Sequence, residues 1–226
     1  LTGTLGDVAA MSLMSQKSLV VGEGGMLMTR DPLLMERAIA FGHYERHAEL
    51  TDPSLTPYKG YPFGGVKHRI NQLASALGRT QLRKYGARIS EIQEAMNYFW
   101  DLLDGCPGIK AHRPPLGSGS TMGGWYAAHG LYRGEELGEL PLKRFCEAVV
   151  AEGSHAHPRA NAPMHLHPVL NTLDIYGHGT PTRNARANRD LRQAPGSLPV
   201  SERTGETCYG IPHFKRMHKR VIEQHA

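Results

Sequence analysis

The chain has 226 residues, 40% of them hydrophobic and 21% charged, with a formal net charge of +5 and a mean hydropathy of −0.41. Those values describe an ordinary globular chain with enough residues for a real core, and they exclude a disordered one. No apolar run approaches the ~20 residues that cross a bilayer, and the first residues do not read as a signal peptide.

The positive charge gathers late, at Arg183, Arg186, Arg189 and Arg192 and then at Lys215, Arg216, Lys219 and Arg220. No aromatic residues interleave with it as a base-stacking platform requires. A solvated surface with a pocket for anionic substrates is therefore the expectation, and a basic nucleic-acid-binding module is the alternative. Cys106, Cys146 and Cys208 lie far apart without C-x-x-C spacing, which suits a reduced, cytoplasmic compartment. The chain opens on Leu1 and stops inside a basic, helix-like run from Lys215, so it reads as part of a longer chain.

In chain order, Val8 to Leu13 reads as a strand buried on both faces, with Val8, Ala10 and Ser12 sharing one side. Glycines 22, 24 and 25 then make a tight turn before a second buried strand, Gly25 to Thr29. Asp31-Pro32 opens a helix with a capping aspartate and a proline at the first helical position. Residues 45–65 form a long loop. Two helices follow, one with Ile70, Leu73, Ala74 and Leu77 on its apolar face, the other with Ile89, Ile92, Met96, Phe99 and Leu103. Gly86 breaks the pattern between them, and Cys106-Pro107-Gly108 ends the second. Residues 111–124, rich in Pro, Gly and Ser, read as a domain junction. Beyond it come a strand over 125–132, a helix over 142–151 and a His/Pro-rich loop over 155–178.

The segment with the most chemical content is Ser12 to Lys17, followed by Gly22-Glu23-Gly24-Gly25. A Schiff-base lysine must attack an aldehyde as a free amine, and a rigid loop just past a buried strand is a setting that provides one. A serine at the strand end can hydrogen-bond a phosphate at close range. Spacing alone leaves the surface-lysine reading ahead. No G-x-x-x-x-G-K-[ST] is present, which excludes a Walker-type loop.

Gly3 to Arg30 resembles the lysine region of the DegT/DnrJ/StrS family of sugar aminotransferases: Gly3 to Asp7, Ser12 to Lys17, Gly22 to Gly25, then Thr29. Three more stretches agree in order. Gly65 to Leu82 (Arg69, Gln72, Ala76, Gly78, Gln81) resembles the family's G-Y-N-x-R helix segment. Pro163 to Pro168 resembles its P-L-H-x-x-P loop, and Leu198 to Arg203 with Ile211-Pro212 resembles its L-P-x-x-E-R segment. The variant with Gln16 and Gly-Glu-Gly-Gly is similar to the cyclitol-aminating branch.

The resemblance implies an α/β chain. Residues 1–110 would be part of the large PLP-binding domain of the aspartate aminotransferase fold (fold type I) with its linking helices, and 111–226 a small α+β C-terminal domain. It implies pyridoxal 5'-phosphate as cofactor, with Lys17 as the catalytic lysine that bonds it and then shuttles a proton. Ser12 would bind the cofactor phosphate, and the 65–70 region would reach the phosphate of the neighbouring subunit in a homodimer with shared sites. Where the family has tyrosine and asparagine this chain has Val66 and Lys67, so Lys67 or Arg69 supplies a cation instead. His165 would line the substrate pocket, against a plain reading as a water-exposed loop histidine. The expected reaction moves an amino group from glutamine or glutamate to a keto sugar or keto-cyclitol. Related dehydratases carry histidine in place of the lysine, so Lys17 argues against that chemistry, and a non-catalytic or regulatory relative is the remaining rival within the fold. The family's cofactor-pairing aspartate, ring-stacking aromatic and first phosphate loop precede the matched segment, so these residues alone are expected to be an incomplete enzyme. Paired histidines at 155/157 and 165/167 lack carboxylate or cysteine partners at a recognised spacing, and no metal is expected.

Overall fold

A computed structural model of the chain describes residues 2–226. Contacts divide it into two compact units, one ending at Ile89 and the other Ser90–Ala226. The division lies inside a helix.

The first unit opens with strands β1 (Val8–Ser12) and β2 (Gly25–Thr29), paired antiparallel with Val8 opposite Thr29 and Ser12 opposite Gly25. Both were expected to be buried. They are largely exposed instead, with Val8 at 46% and Met26 at 50%, because they form a two-stranded ribbon with few covering side chains among the described residues. Helix α1 (Pro32–Gly42) starts as expected: the Asp31 carboxylate accepts from Leu33 N at 2.8 Å and Leu34 N at 3.2 Å.

The long loop that follows holds two 3₁₀ turns, Tyr44–Glu49 and Thr56–Tyr58, and is pinned to α1. The Glu36 carboxylate accepts from Thr51 N, Asp52 N and the Thr51 hydroxyl. These bonds hold it below the usual carboxylate range. Ile39, Ala40, Leu50 and Leu55 close a small core beneath. Helix α2 (Gln72–Arg83) is capped by Asn71, whose side chain accepts from Ala74 N. Its expected apolar face is not a buried one: Ile70 precedes the helix, Leu73 is 85% exposed, and of the four marked residues only Ala74 is buried.

Helix α3 (Tyr85–Leu102) begins one residue after Lys84, so the break lies there and Gly86 is helical. Ile92, Met96, Phe99 and Trp100 recur at helical spacing on one face and are buried in the second unit's core. That core explains why the division cuts α3. Strand β3 (Ile109–Ala111) follows the turn at Gly105 and Gly108.

The expected strand over 125–132 is only β4 (His129–Tyr132). Trp125 and Ala127 have φ of 53° and 52°, values that no strand accepts, and the segment turns there. Helix α4 (Leu142–Ala151) matches its expected span. The His/Pro-rich stretch contains β5 (His157–Pro158), a 3₁₀ turn at Met164–Leu166 and the single-turn α5 (Pro168–Asn171).

After α6 (Pro199–Thr207), strand β6 (Cys208–Gly210) completes a sheet of order β3-β4-β6-β5, antiparallel throughout. The basic tail forms α7 (Lys219–Glu223), with Ile222 fully buried and Arg216 paired to Glu91 at 2.7 Å. Among the described residues no helix is long and apolar enough to cross a membrane.

His129 of β4 and His157 of β5 both stand opposite Gly210 of β6. Burial, then Arg159 and the neighbouring imidazoles of His112 and His157, push His129 below its ordinary 6.5. Burial, His155 and Arg159 do the same to His157. Both are thus harder to protonate folded than unfolded, so the stability they contribute is intact above 6.5 and lost as pH falls below it. The urea midpoint of the full-length protein is expected to drop between pH 7 and pH 5. It should drop less in a His129→Gln variant, and equal slopes for the two proteins would refute the assignment.

Candidate functional site

The connection between β1 and β2 carries Ser12 and Lys17. It continues the ribbon inward: Leu13 N donates to Gly24 O and Val21 N to Leu13 O, both at 2.9 Å. Lys17 N donates to Met14 O at 2.9 Å and closes a turn, so the lysine backbone is fixed. Val21 is buried and acts as the anchor. A methyl group added at Gly24 would lie 2.9 Å from a Val21 methyl, and one at Gly78 of α2 3.1 Å from the other. Gly22 has φ +92°, which favours glycine. The Gly-Glu-Gly-Gly segment therefore serves close packing and a left-handed turn.

Ser18 and Tyr85 hydroxyls, 3.0 Å apart, add a second tie. Lys17 is half-buried on this clamped connection. Ser12 is exposed at the strand end, its hydroxyl accepting weakly from Met14 N at 3.4 Å. These residues suit the phosphate-bearing aldehyde that the sequence implies: an amine on a rigid turn and a hydroxyl on the strand that feeds it.

Lys67 and Arg69 are brought together. Both lie over the ring of Tyr44, at 5.1 Å and 5.8 Å from its centroid, and Arg69 is also ion-paired to Glu45. Glu45 offsets the Arg69 guanidinium, and among the described residues Lys67 makes no ion pair.

His165, in the second unit, is only 4% exposed, which overturns its reading as a water-exposed loop residue. Its Nε2 lies 2.8 Å from Glu202 Oε1. Glu202, in the first turns of α6, also accepts from Gly196 N at 2.7 Å and Leu198 N at 3.1 Å. Those amides and His165 hold its carboxyl below the usual range.

His165 lines an open cleft of about 600 Å³ with Met164, Arg183, Gln193, Ser201 and Thr204. A second cleft of about 560 Å³ lies among Cys106, Lys110, Arg133 and Glu136. Neither is lined by Lys17, Ser12, Lys67 or Arg69. Among the described residues no group of three or more His, Cys, Asp or Glu is placed to hold a metal.

Sequence reading missed Glu202 and Tyr44. Glu202 stands in a quoted motif, but only the fold joins that motif to the histidine loop. Tyr44 carries no signal in the sequence.

The whole chain matches one family, over residues 1–224: the DegT/DnrJ/EryC1/StrS aminotransferase family. The chain belongs to that family. It is 28% identical over 222 residues to an L-glutamine:2-deoxy-scyllo-inosose aminotransferase of Micromonospora echinospora, covering 93% of this chain and 49% of that protein. It is 32% identical over 112 residues to a dTDP-4-dehydro-2,3,6-trideoxy-D-glucose 4-aminotransferase of Saccharopolyspora spinosa, covering 47% of this chain and 29% of that protein. The family chain thus spans at most about half the length of these relatives.

Its fold is that of solved aminotransferases and dehydratases. An aminotransferase from Psychrobacter cryohalolentis superposes with a TM-score of 0.74 at 18% identity, over 99% of this chain and 55% of that one. A GDP-4-keto-6-deoxy-D-mannose-3-dehydratase from E. coli, solved with hydrated PLP, gives 0.72 at 14% identity, over 100% and 55%. The fold is mixed α/β, as expected. It does not by itself separate amination from dehydration.

Proposed function

We propose that this chain is part of a pyridoxal-phosphate-dependent aminotransferase that moves an amino group from glutamine or glutamate to a keto sugar or keto-cyclitol. The observation that carries the reading is Lys17, an amine on a turn clamped by Val21 between Gly24 and Gly78, in a chain of this family. Two relatives of the chain are named as aminotransferases, one acting on a deoxy-inosose and one on a nucleotide-linked keto sugar.

Lys17 would hold the cofactor through its Nζ and, once freed, move a proton to and from the reacting carbon. The bound cofactor supplies an electron sink for that carbon. Ser12 would grip its phosphate, and Lys67, with Arg69 beside it, would reach the phosphate held by a second copy in a homodimer. Residues 1–110 then serve the cofactor-binding large domain and 111–226 the small domain, where His165 contributes to the acceptor pocket. A cytoplasmic location fits the three free thiols.

The test is spectroscopic. The full-length protein loaded with pyridoxal phosphate is mixed with glutamine, glutamate and alanine in turn. Glutamine or glutamate should bleach the visible band of the lysine-bound cofactor, and 2-deoxy-scyllo-inosose should restore it. Absence of any band, or a band indifferent to every donor, would sink the reading.

A further inference from the structure

The His165–Glu202 pair lies apart from the lysine connection in sequence and sits at the cleft of the second unit. An ionised carboxylate only accepts hydrogen bonds. Glu202 is ionised at neutral pH, since two backbone amides and His165 hold it below the usual range. Nε2 of His165, 2.8 Å from Oε1, must therefore carry the proton.

In the neutral ring this leaves Nδ1 as an acceptor. Among the described residues it engages no donor: the other hydrogen bond at His165 runs from Asn171 Nδ2 to the backbone carbonyl at 2.6 Å. His165 is 4% exposed and is among the residues that line the cleft. Ser201, Thr204 and Arg183 line the same cleft, with Arg183 donating to the Gln193 side-chain oxygen at 3.1 Å and the Thr204 hydroxyl donating to Ser201 O at 2.7 Å.

We propose that Glu202 is a positioning residue: it fixes His165 as a hydrogen-bond acceptor for a ring hydroxyl of the amino acceptor. A buried acceptor left unmatched is costly, so the cleft would select a hydroxylated ring over a deoxygenated one. Glu202 suits this role because its own position is set by the backbone of Gly196 and Leu198 at the start of α6. A histidine held only by loop packing would lack a defined tautomer. The inference rests on reading this cleft as part of the acceptor pocket.

The experiment uses full-length protein loaded with pyridoxal phosphate and labelled with ¹⁵N-histidine, the His165 signals being assigned with His165→Gln. The wild type should show a protonated Nε2 and an unprotonated Nδ1. The Nδ1 signal should move upfield on adding 2-deoxy-scyllo-inosose and stay still with cyclohexanone. Glu202→Gln keeps one oxygen, which can stay opposite Gly196 N, and sets an amide NH2 opposite His165 Nε2 and Leu198 N. It should raise KM for the keto-cyclitol about tenfold, the loss of one net hydrogen bond, while the donor half-reaction keeps its kcat and KM. A purely structural role would depress both half-reactions together.

A protonated Nδ1 in the wild type overturns the inference. So does an Nδ1 signal that ignores the keto-cyclitol while that compound still restores the cofactor band, in which case the aminotransferase reading stands. If the keto-cyclitol neither moves the signal nor restores the band, while donors still bleach it, the keto-cyclitol reading fails and the inference fails with it.

Discussion

Lys17→Ala is expected to remove the visible band of the cofactor-loaded full-length protein and to lower transamination by about 10³-fold or more, because under the proposed function the variant loses both the group that bonds the aldehyde and the group that moves the proton. The fold should survive. Lys17 is half-buried on a turn closed by its own backbone N–H to Met14 O, and the anchor of the turn is Val21. Lys17→Arg separates charge from nucleophilicity, since a guanidinium stays protonated at any working pH and cannot condense with an aldehyde. The arginine variant should therefore match the alanine variant in lacking the band. A band that persists in both would move the cofactor to another lysine. Ser12→Ala should be milder: loss of one charge-assisted bond to phosphate weakens cofactor affinity by about 10- to 100-fold without erasing the band. Among the described residues its hydroxyl makes only a 3.4 Å contact to Met14 N, so little stability is at risk.

The legible parts of this chain were those fixed by local chemistry. Asp31 before Pro32 specified the start of α1, and the apolar spacing of Ile92, Met96 and Phe99 specified the buried face of α3. The strands Val8–Ser12 and Gly25–Thr29 were legible as strands but not as exposed ones, because apolar content reports what a segment can bury and not what lies against it. The same holds for α2, whose Leu73 has the right spacing and remains in the open. The segment 125–128 failed for a different reason: Trp125 and Ala127 take left-handed backbone angles that propensity does not encode, with Trp125 fully buried in the second unit's core.

At the candidate site, motif order singled out Ser12, Lys17 and His165 as candidates. The contacts that define their surroundings came only from the fold: Val21 against Gly78, Tyr44 beneath Lys67 and Arg69, and Glu202 against His165. Each joins residues more than twenty positions apart. Such pairs leave no local pattern in a single sequence.

The largest stability effect is expected from Trp100→Ala. Trp100 is 1% exposed in the second unit's core, with its ring centroid 5.4 Å from that of Phe99 and Met96 fully buried one turn before it. Truncating so large a side chain in a packed site costs about 3–5 kcal/mol, a large share of the stability of an ordinary domain. Trp100→Phe decides whether packing or the indole nitrogen matters. Among the described residues the buried Nε1 has no hydrogen-bond partner, so the phenylalanine variant loses part of the ring while removing an unsatisfied donor. Its cost should stay below about 2 kcal/mol. The chain has only Trp100 and Trp125 as tryptophans, so fluorescence would change with the substitution itself, and urea unfolding by far-UV circular dichroism is the proper readout. Two compact units need not unfold together, so the transition to follow is the one that moves in Trp100→Ala. A shift below about 1 kcal/mol in that variant would show that the cluster around α3 is not what holds the second unit together.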